Sequence, residues 1–181
     1  MEIDCGICQL RRWRQSDKEP LIRYANNRKI WRNVRDLFPY PYTGKDADEW
    51  LAHASNEEAA PWTFAIDIKG EAAGTISLIA RGDVERHTAE LGYWLGEPFW
   101  GRGIVTAAAR AIVRHGFEMT DFYRIFAVVF AWNPASMRVL EKAGLEREAV
   151  LRRAVVKDGM LLDQVMYAAT RDPGLEYFPA R

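Results

Sequence analysis

Two glycines at the foot of a helix carry the clearest chemical signal in this chain. In Glu97-Pro98-Phe99-Trp100-Gly101-Arg102-Gly103-Ile104-Val105-Thr106 an apolar strand has just ended and a helix begins at once. The first turn of a helix leaves backbone N–H groups without partners, and its dipole adds about half a positive charge at the same spot. A phosphate or pyrophosphate is the natural occupant, and glycine lets the anion approach the backbone. A plain strand-to-helix turn explains two glycines equally well, and both readings stand on the residues alone. A dinucleotide fingerprint is excluded, because it needs three spaced glycines in a strand-helix-strand unit. Upstream, Glu90 shares a strand face with Gly92 and Trp94, which leads toward the glycine turn. A carboxylate there could act as a general base on an incoming ammonium. Its structural alternative is an ion pair with an arginine such as Arg124, and Asp163 is the second carboxylate candidate.

The bulk properties narrow the setting. Lys plus Arg and Asp plus Glu number 25 each, so no global field draws the chain to nucleic acid or an anionic membrane. No stretch reaches the roughly 20 apolar residues of a membrane helix. The opening Met1-Glu2-Ile3-Asp4 has no basic segment followed by an apolar run, so no signal peptide is expected, and a reducing cytoplasm is the expected location. Cys5 and Cys8 are three apart, which on a strand sends them to opposite faces and argues for free thiols. His53, His87 and His115 lack ligand spacing, so no metal site is expected.

The elements that must position these residues follow from periodicity. A strand is expected over 4–13, then a helix over 17–26 with Ser16 as cap and Glu19 at the capping-box position. Trp31 to Tyr42 reads as irregular and aromatic, and Thr43, with Asp46 at the box position, caps a helix to Ala54. Strands follow from Trp62 through Ile79, turned at Gly70, and over 88–95. Ile104 to Met119 is helical, and Arg124 to Ala131 is apolar enough for a strand covered on both faces. Asn133, Pro134 and Gly144 mark the cap, first residue and left-handed end of a helix. Two last strands, 146–156 and 161–169, turn at Asp158-Gly159. The order β-αα-βββ-α-β-α-ββ predicts an α/β (α+β) mixed sheet with helices on both faces, one domain over 1–171 and an irregular tail over 172–181.

Taken in order, Ala89-Glu90-Leu91-Gly92-Tyr93-Trp94-Leu95, Phe99-Trp100-Gly101-Arg102-Gly103, Asn133-Pro134-Ala135-Ser136 and Glu141-Lys142-Ala143-Gly144-Leu145 resemble the GNAT superfamily of acyltransferases, and within it the RimJ/RimL-like branch. The resemblance covers nearly the whole chain. It implies a three-layer fold around a mostly antiparallel twisted sheet of about seven strands. It also implies that acetyl-CoA is the acyl donor, with no metal. The family phosphate motif is Q/R-x-x-G-x-G/A. Trp100 stands at its first place, Gly103 is the central glycine, and Val105 departs from the small last residue. By the resemblance, amides from Gly101 through Arg102, Gly103, Ile104 and Val105 to Thr106 hold the pyrophosphate, and the strand at Trp94 and Leu95 pairs with the pantetheine arm. Asn133 is a helix cap that could also contact pantetheine. Many members place a tyrosine acid seven residues after this Asn; here that residue is Leu140, and the Asn-x-x-Ser spacing offers Ser136 instead, or merely a first-turn serine.

An amine acceptor is implied, attacking the thioester directly with no covalent enzyme intermediate. A backbone N–H near Tyr93 to Leu95 would steady the oxyanion. An α-amino group is about 3.5 kcal/mol cheaper to deprotonate than a lysine, which favours a protein N-terminus or small weakly basic amine. Trp31, Asn33, Asp36 and Tyr40, in the aromatic stretch, are the expected acceptor contacts, the alternative being that they only cover the sheet edge. Two other functions stay open: acetylation of an antibiotic or polyamine, and a non-catalytic acyl-CoA-binding sensor. The oligomeric state is open as well, with a homodimer among the options.

Overall fold

The computed structural model describes residues 2–172, so the expected tail lies outside the described residues except for Asp172. Eight strands form one sheet in the order β1-β2-β3-β4-β5-β6-β8-β7. They are β1 Glu2–Asp4, β2 Gln9–Arg11, β3 Thr63–Ile68, β4 Glu71–Ala80, β5 Thr88–Leu95, β6 Arg124–Phe130, β7 Glu146–Lys157 and β8 Met160–Thr170. Every neighbouring pair is antiparallel except β5 and β6. The helices are α1 Lys18–Ala25, the single turn α2 Arg28–Trp31, α3 Gly44–Ala54, α4 Ile104–Met119 and α5 Pro134–Ala143.

The eighth strand corrects the expected count. The segment read as one strand over 4–13 is a hairpin of β1 and β2, turned at Gly6, whose φ of +78° favours glycine. Asp4 Oδ1 accepts from the Gly6 N–H at 2.8 Å, and the Cys5 N–H donates to Cys8 O at 3.0 Å. The two cysteines therefore flank a turn and both pack against the larger core, the Cys5 thiol donating to Ile3 O at 3.7 Å and the Cys8 thiol to Ile104 O at 4.0 Å. Both remain free.

Helices cover both faces. Ile104, Ala108, Ile112 and Leu140 of α4 and α5 join Leu91, Leu95 and Ile76 in the larger core. On the opposite face Leu21 and Ala25 of α1 and Ala47, Leu51 and Ala54 of α3 pack with Ala65, Ala72 and Trp94. Strand alternation explains the division: in β5, Leu91, Tyr93 and Leu95 look toward α4 and α5, whereas Trp94 looks the other way. Gly116 lets α4 approach the sheet, since a Cβ there would lie 2.6 Å from Leu78 Cδ1. Among the described residues no helix is long and apolar enough to cross a membrane.

The cap of α3 forms as expected, with Thr43 N–H donating to Asp46 Oδ2 at 2.7 Å. The cap proposed at Ser16 does not. A 3-10 turn, Gln15–Asp17, precedes α1, and the Asp17 carboxylate takes the Arg14 N–H at 2.8 Å. Asp17 is diverted because it also receives two bonds from Arg11, each 2.8 Å, while Arg11 Nε reaches Asp67 at 2.6 Å. All three residues are buried, so this triad ties β2 and β3 to the start of α1. Removing one member of a buried ion pair strands its partners without water. Arg11→Ala should therefore lower unfolding free energy in urea by about 3–5 kcal/mol, and a loss below about 1 kcal/mol would show the triad to be unimportant.

Candidate active site

Strands β5 and β6 run side by side only at Thr88↔Arg124, Ala89↔Ile125 and Glu90↔Phe126. Past Glu90 they diverge. Each is held by its outer neighbour: β5 stays paired with β4 to Gly74↔Leu95, and β6 with β8 to Phe130↔Gln164. The wedge between them opens the sheet to both faces, and two cavities meet there.

The first, about 380 Å³, lies on the α4/α5 side. Its walls include Trp94 and Leu95 at the end of β5, the loop residues Trp100, Gly101 and Gly103, the first helical residues Ile104, Val105 and Thr106, and Asn133 and Ser136 at the start of α5. Gly101 and Gly103 have φ of +75° and +76°, and a Cβ on either would meet no protein atom within 4 Å, so the glycines turn an open backbone surface to the groove. Gly103 caps α4 without any side-chain hydrogen bond, which leaves the amides at the head of a 16-residue helix available. Lys29, Arg138 and Lys142 stand in the same walls. Trp100 donates from its indole to Leu95 O at 2.7 Å and so pins the loop to the strand end. Arg102 is not in the walls; its guanidinium lies 5.9 Å from the Phe99 ring. A diphosphate fits this surface: a positive helix end, glycine backbone and the cations Arg138 and Lys142, while Lys29 is paired with Glu97.

The second cavity, about 620 Å³, lies on the α1/α3 side. Glu90 forms part of its wall, with Phe38, Tyr42 and Trp50. Glu90 is only 8% exposed. Its expected partner Arg124 is elsewhere, bidentate on Glu148 with one bond of 2.7 Å. Arg35 bonds to Glu90 Oε1 instead, and Arg81 stands 3.9 Å from Oε2. Asp163 lies outside both walls, its carboxylate accepting from the Arg153 N–H at 2.8 Å.

Six residues border both cavities: Asn33, Val34, Tyr93, Trp94, Asn133 and Ser136. At this junction the Tyr93 hydroxyl and Ser136 Oγ are 2.7 Å apart. Burial pushes the Tyr93 phenol up to about 12, against a smaller pull from the Ser136 bond, so it carries its proton throughout the neutral range. Asn133 accepts from the Ser136 N–H at 3.2 Å as the cap of α5. Leu140, at the place of the family's tyrosine, is fully buried in the core. The Tyr93 side chain is the residue sequence reading missed, because its pairing joins a strand to a helix 43 positions away.

Of the four expected acceptor contacts, Asn33 lines both cavities and accepts from the Trp132 indole at 3.0 Å. Trp31, Asp36 and Tyr40 line neither. Lys157, 2% exposed at the end of β7, inserts its ammonium 3.9 Å from the Trp31 ring centre and 2.6 Å from Asp36, and Tyr40 packs on Trp31 at 5.9 Å. These three side chains clamp the loop to the β7–β8 hairpin. No cluster of three metal-ligating side chains occurs among the described residues.

Residues 8–146 match the family described as Acetyltransferase (GNAT) domain. The chain belongs to the GNAT acetyltransferase family. It is 41% identical over 97 residues to the probable N-acetyltransferase YjcK of Bacillus subtilis, covering 52% of each chain. Thus it spans about half the length of the first curated relatives it matches. To the [Ribosomal protein uS5]-alanine N-acetyltransferase of Escherichia coli it is 27% identical over 165 residues, 87% of this chain and 81% of that one. The fold superposes on RimL, a ribosomal L7/L12 alpha-N-protein acetyltransferase solved with coenzyme A, with a TM-score of 0.83 at 22% identity, covering 94% and 98% of the two chains. The GNAT fold and the RimJ/RimL likeness expected from the motifs both stand.

The glycine cradle makes a direct prediction. A β-branched residue resists positive φ and would also project into the groove, with strain of about 1–3 kcal/mol. Gly103→Val should lower the unliganded melting temperature by roughly 2–12 °C and cut the rise produced by coenzyme A by at least half; an undiminished rise would contradict the assignment.

Proposed function

We propose that this protein transfers an acetyl group from acetyl-CoA to a primary amine by direct attack, with a protein N-terminal α-amino group or a small weakly basic amine as acceptor. The observation that carries this reading is the position of two proton-handling groups on opposite faces of the split sheet. Glu90 faces the α1/α3 cavity, and the Tyr93–Ser136 pair faces the α4/α5 groove. Glu90 and Tyr93 are three residues apart on β5, about 10 Å between their Cα atoms. Acyl transfer needs this arrangement, since the nucleophile loses its proton on one side while the leaving group gains one on the other.

In this reading acetyl-CoA, when bound, supplies an electrophilic thioester carbon and a sulfur that leaves as thiolate. The amides of Gly101 through Thr106 hold its diphosphate, and Trp94 and Leu95, whose strand pairs only with β4 beyond Glu90, lie beside its arm. Asn133 keeps Ser136 on the first turn of α5. Glu90 takes a proton from the acceptor ammonium, directly or through water. Ser136, backed by the protonated Tyr93, donates toward the sulfur, in place of the absent tyrosine at Leu140. Positioning carries much of the remaining acceleration.

The acceptor class follows from charge. Besides Glu90, the acceptor cavity holds Asp46 and Glu49. Asp46 is engaged by Thr43 in capping α3, and Glu49 lies 3.6 Å from Lys45 in an exposed pair. A single buried carboxylate amid aromatic walls suits one cation with an apolar body better than a polyamine. The names of the uS5-alanine and L7/L12 relatives support an α-amine.

The kinetic test is thiol release from acetyl-CoA against a panel of peptides, small amines and polyamines. Glu90→Gln should lower turnover about a hundredfold and move the pH optimum upward, because solvent must then deprotonate an amine of pKa about 7.7–8. Tyr93→Phe should lower turnover about tenfold with no such movement. An unchanged pH profile in Glu90→Gln rejects the base, and coenzyme A binding with no release across the panel favours the sensor function.

A further inference from the structure

The partner that holds Glu90 is the least expected feature of the acceptor cavity. Arg35 belongs to the irregular segment between α2 and α3, which also supplies Leu37, Phe38 and Pro39 to the cavity wall. Its side chain is 63% exposed, whereas the Glu90 carboxylate it bonds is 10% exposed. A cation has thus entered from solvent and placed its head on the buried carboxylate, in the cavity where the reading above puts the acceptor. The other cation near Glu90, Arg81, approaches the second oxygen at 3.9 Å, has Glu85 at 3.4 Å, and is not part of the cavity wall.

Arg35 and Glu90 line the same cavity, and an acceptor ammonium that bonds directly to Glu90 Oε1 must displace the guanidinium from it. We infer that Arg35 is a built-in stand-in for the acceptor's ammonium group, closing the acceptor site until an amine displaces it. This rests on the acetyltransferase reading. The device keeps the buried carboxylate paired while the site is empty, and uncompensated burial of a charge is what a lone Glu90 would suffer. It also sets a specificity threshold, because an acceptor must compete with a tethered guanidinium. A neutral or weakly held amine loses that competition, whereas one with an ammonium head and an apolar body can also bury that body against Leu37, Phe38 and Trp50 in the same wall.

The exchange has a signature that a purely structural arginine lacks. A competitor tethered in the site reduces apparent affinity by the fraction of molecules it occupies, without altering turnover once the acceptor saturates. Arg35→Ala should therefore lower KM for the best amine of the panel about fivefold, the range of a partly exposed ion pair, with kcat within about twofold of the parent. Arg35→Lys, which keeps a cation, should retain the parent KM. Methylguanidinium at sub-denaturing concentration should raise KM in Arg35→Ala competitively with the amine, and have less effect on the parent. An unchanged or increased KM in Arg35→Ala, with the parent active, overturns the stand-in and leaves the acetyltransferase reading intact. A parent that releases no thiol with any amine overturns both.

Discussion

Divergence of two parallel strands is the constraint on which the rest of this molecule depends. A flat, fully paired sheet would leave no passage between its faces. Here β5 and β6 share three register positions and then separate, each committed to an outer antiparallel partner. The separation sets the head of α4 and the start of α5 on one side of the wedge and Glu90 on the other. It also leaves the far half of β5 with pairing on one edge only.

Around that wedge the chain uses buried charge to hold its loops. The Arg11–Asp17–Asp67 triad fixes α1 to the sheet. Lys157, sandwiched between the Trp31 ring and Asp36, docks the β7–β8 hairpin on the loop that walls the acceptor cavity, and Arg28 adds a bond to Asp158 at 2.9 Å in the same hairpin. These attachments give the acceptor loop a defined shape although it has almost no regular structure. Arg35 and Asn33 can then occupy definite positions in the cavity wall, one on Glu90 and one on Trp132.

Local signals carried most of the fold. The helix from Ile104, the Thr43 cap, the Asn133–Gly144 helix and the Asp158-Gly159 hairpin are all written within a few residues of one another, and each forms as the spacing predicts. The N-terminal hairpin escaped because a single glycine between two cysteines was outweighed by the apolar pattern around it. The glycine turn was likewise legible, since cradle and helix are contiguous. What sequence could not reveal are pairings over long separations. Tyr93 with Ser136, Arg35 with Glu90 and Lys157 with Asp36 are 43, 55 and 121 residues apart. Each depends on how the sheet splits and how the loop folds over it, and no periodicity encodes that. The aromatic stretch shows the consequence: Trp31, Asp36 and Tyr40 have the chemistry of a binding surface, yet the clamp on Lys157 takes them out of the cavity walls.

Backbone amide exchange with and without coenzyme A tests the central role of the wedge most directly. The account predicts slower exchange on binding in two separated segments at once, residues 101–106 at the head of α4 and residues 92–95 at the free edge of β5, with little change in β1 and β2. Protection confined to one segment, or absent from both at saturating coenzyme A, would contradict it.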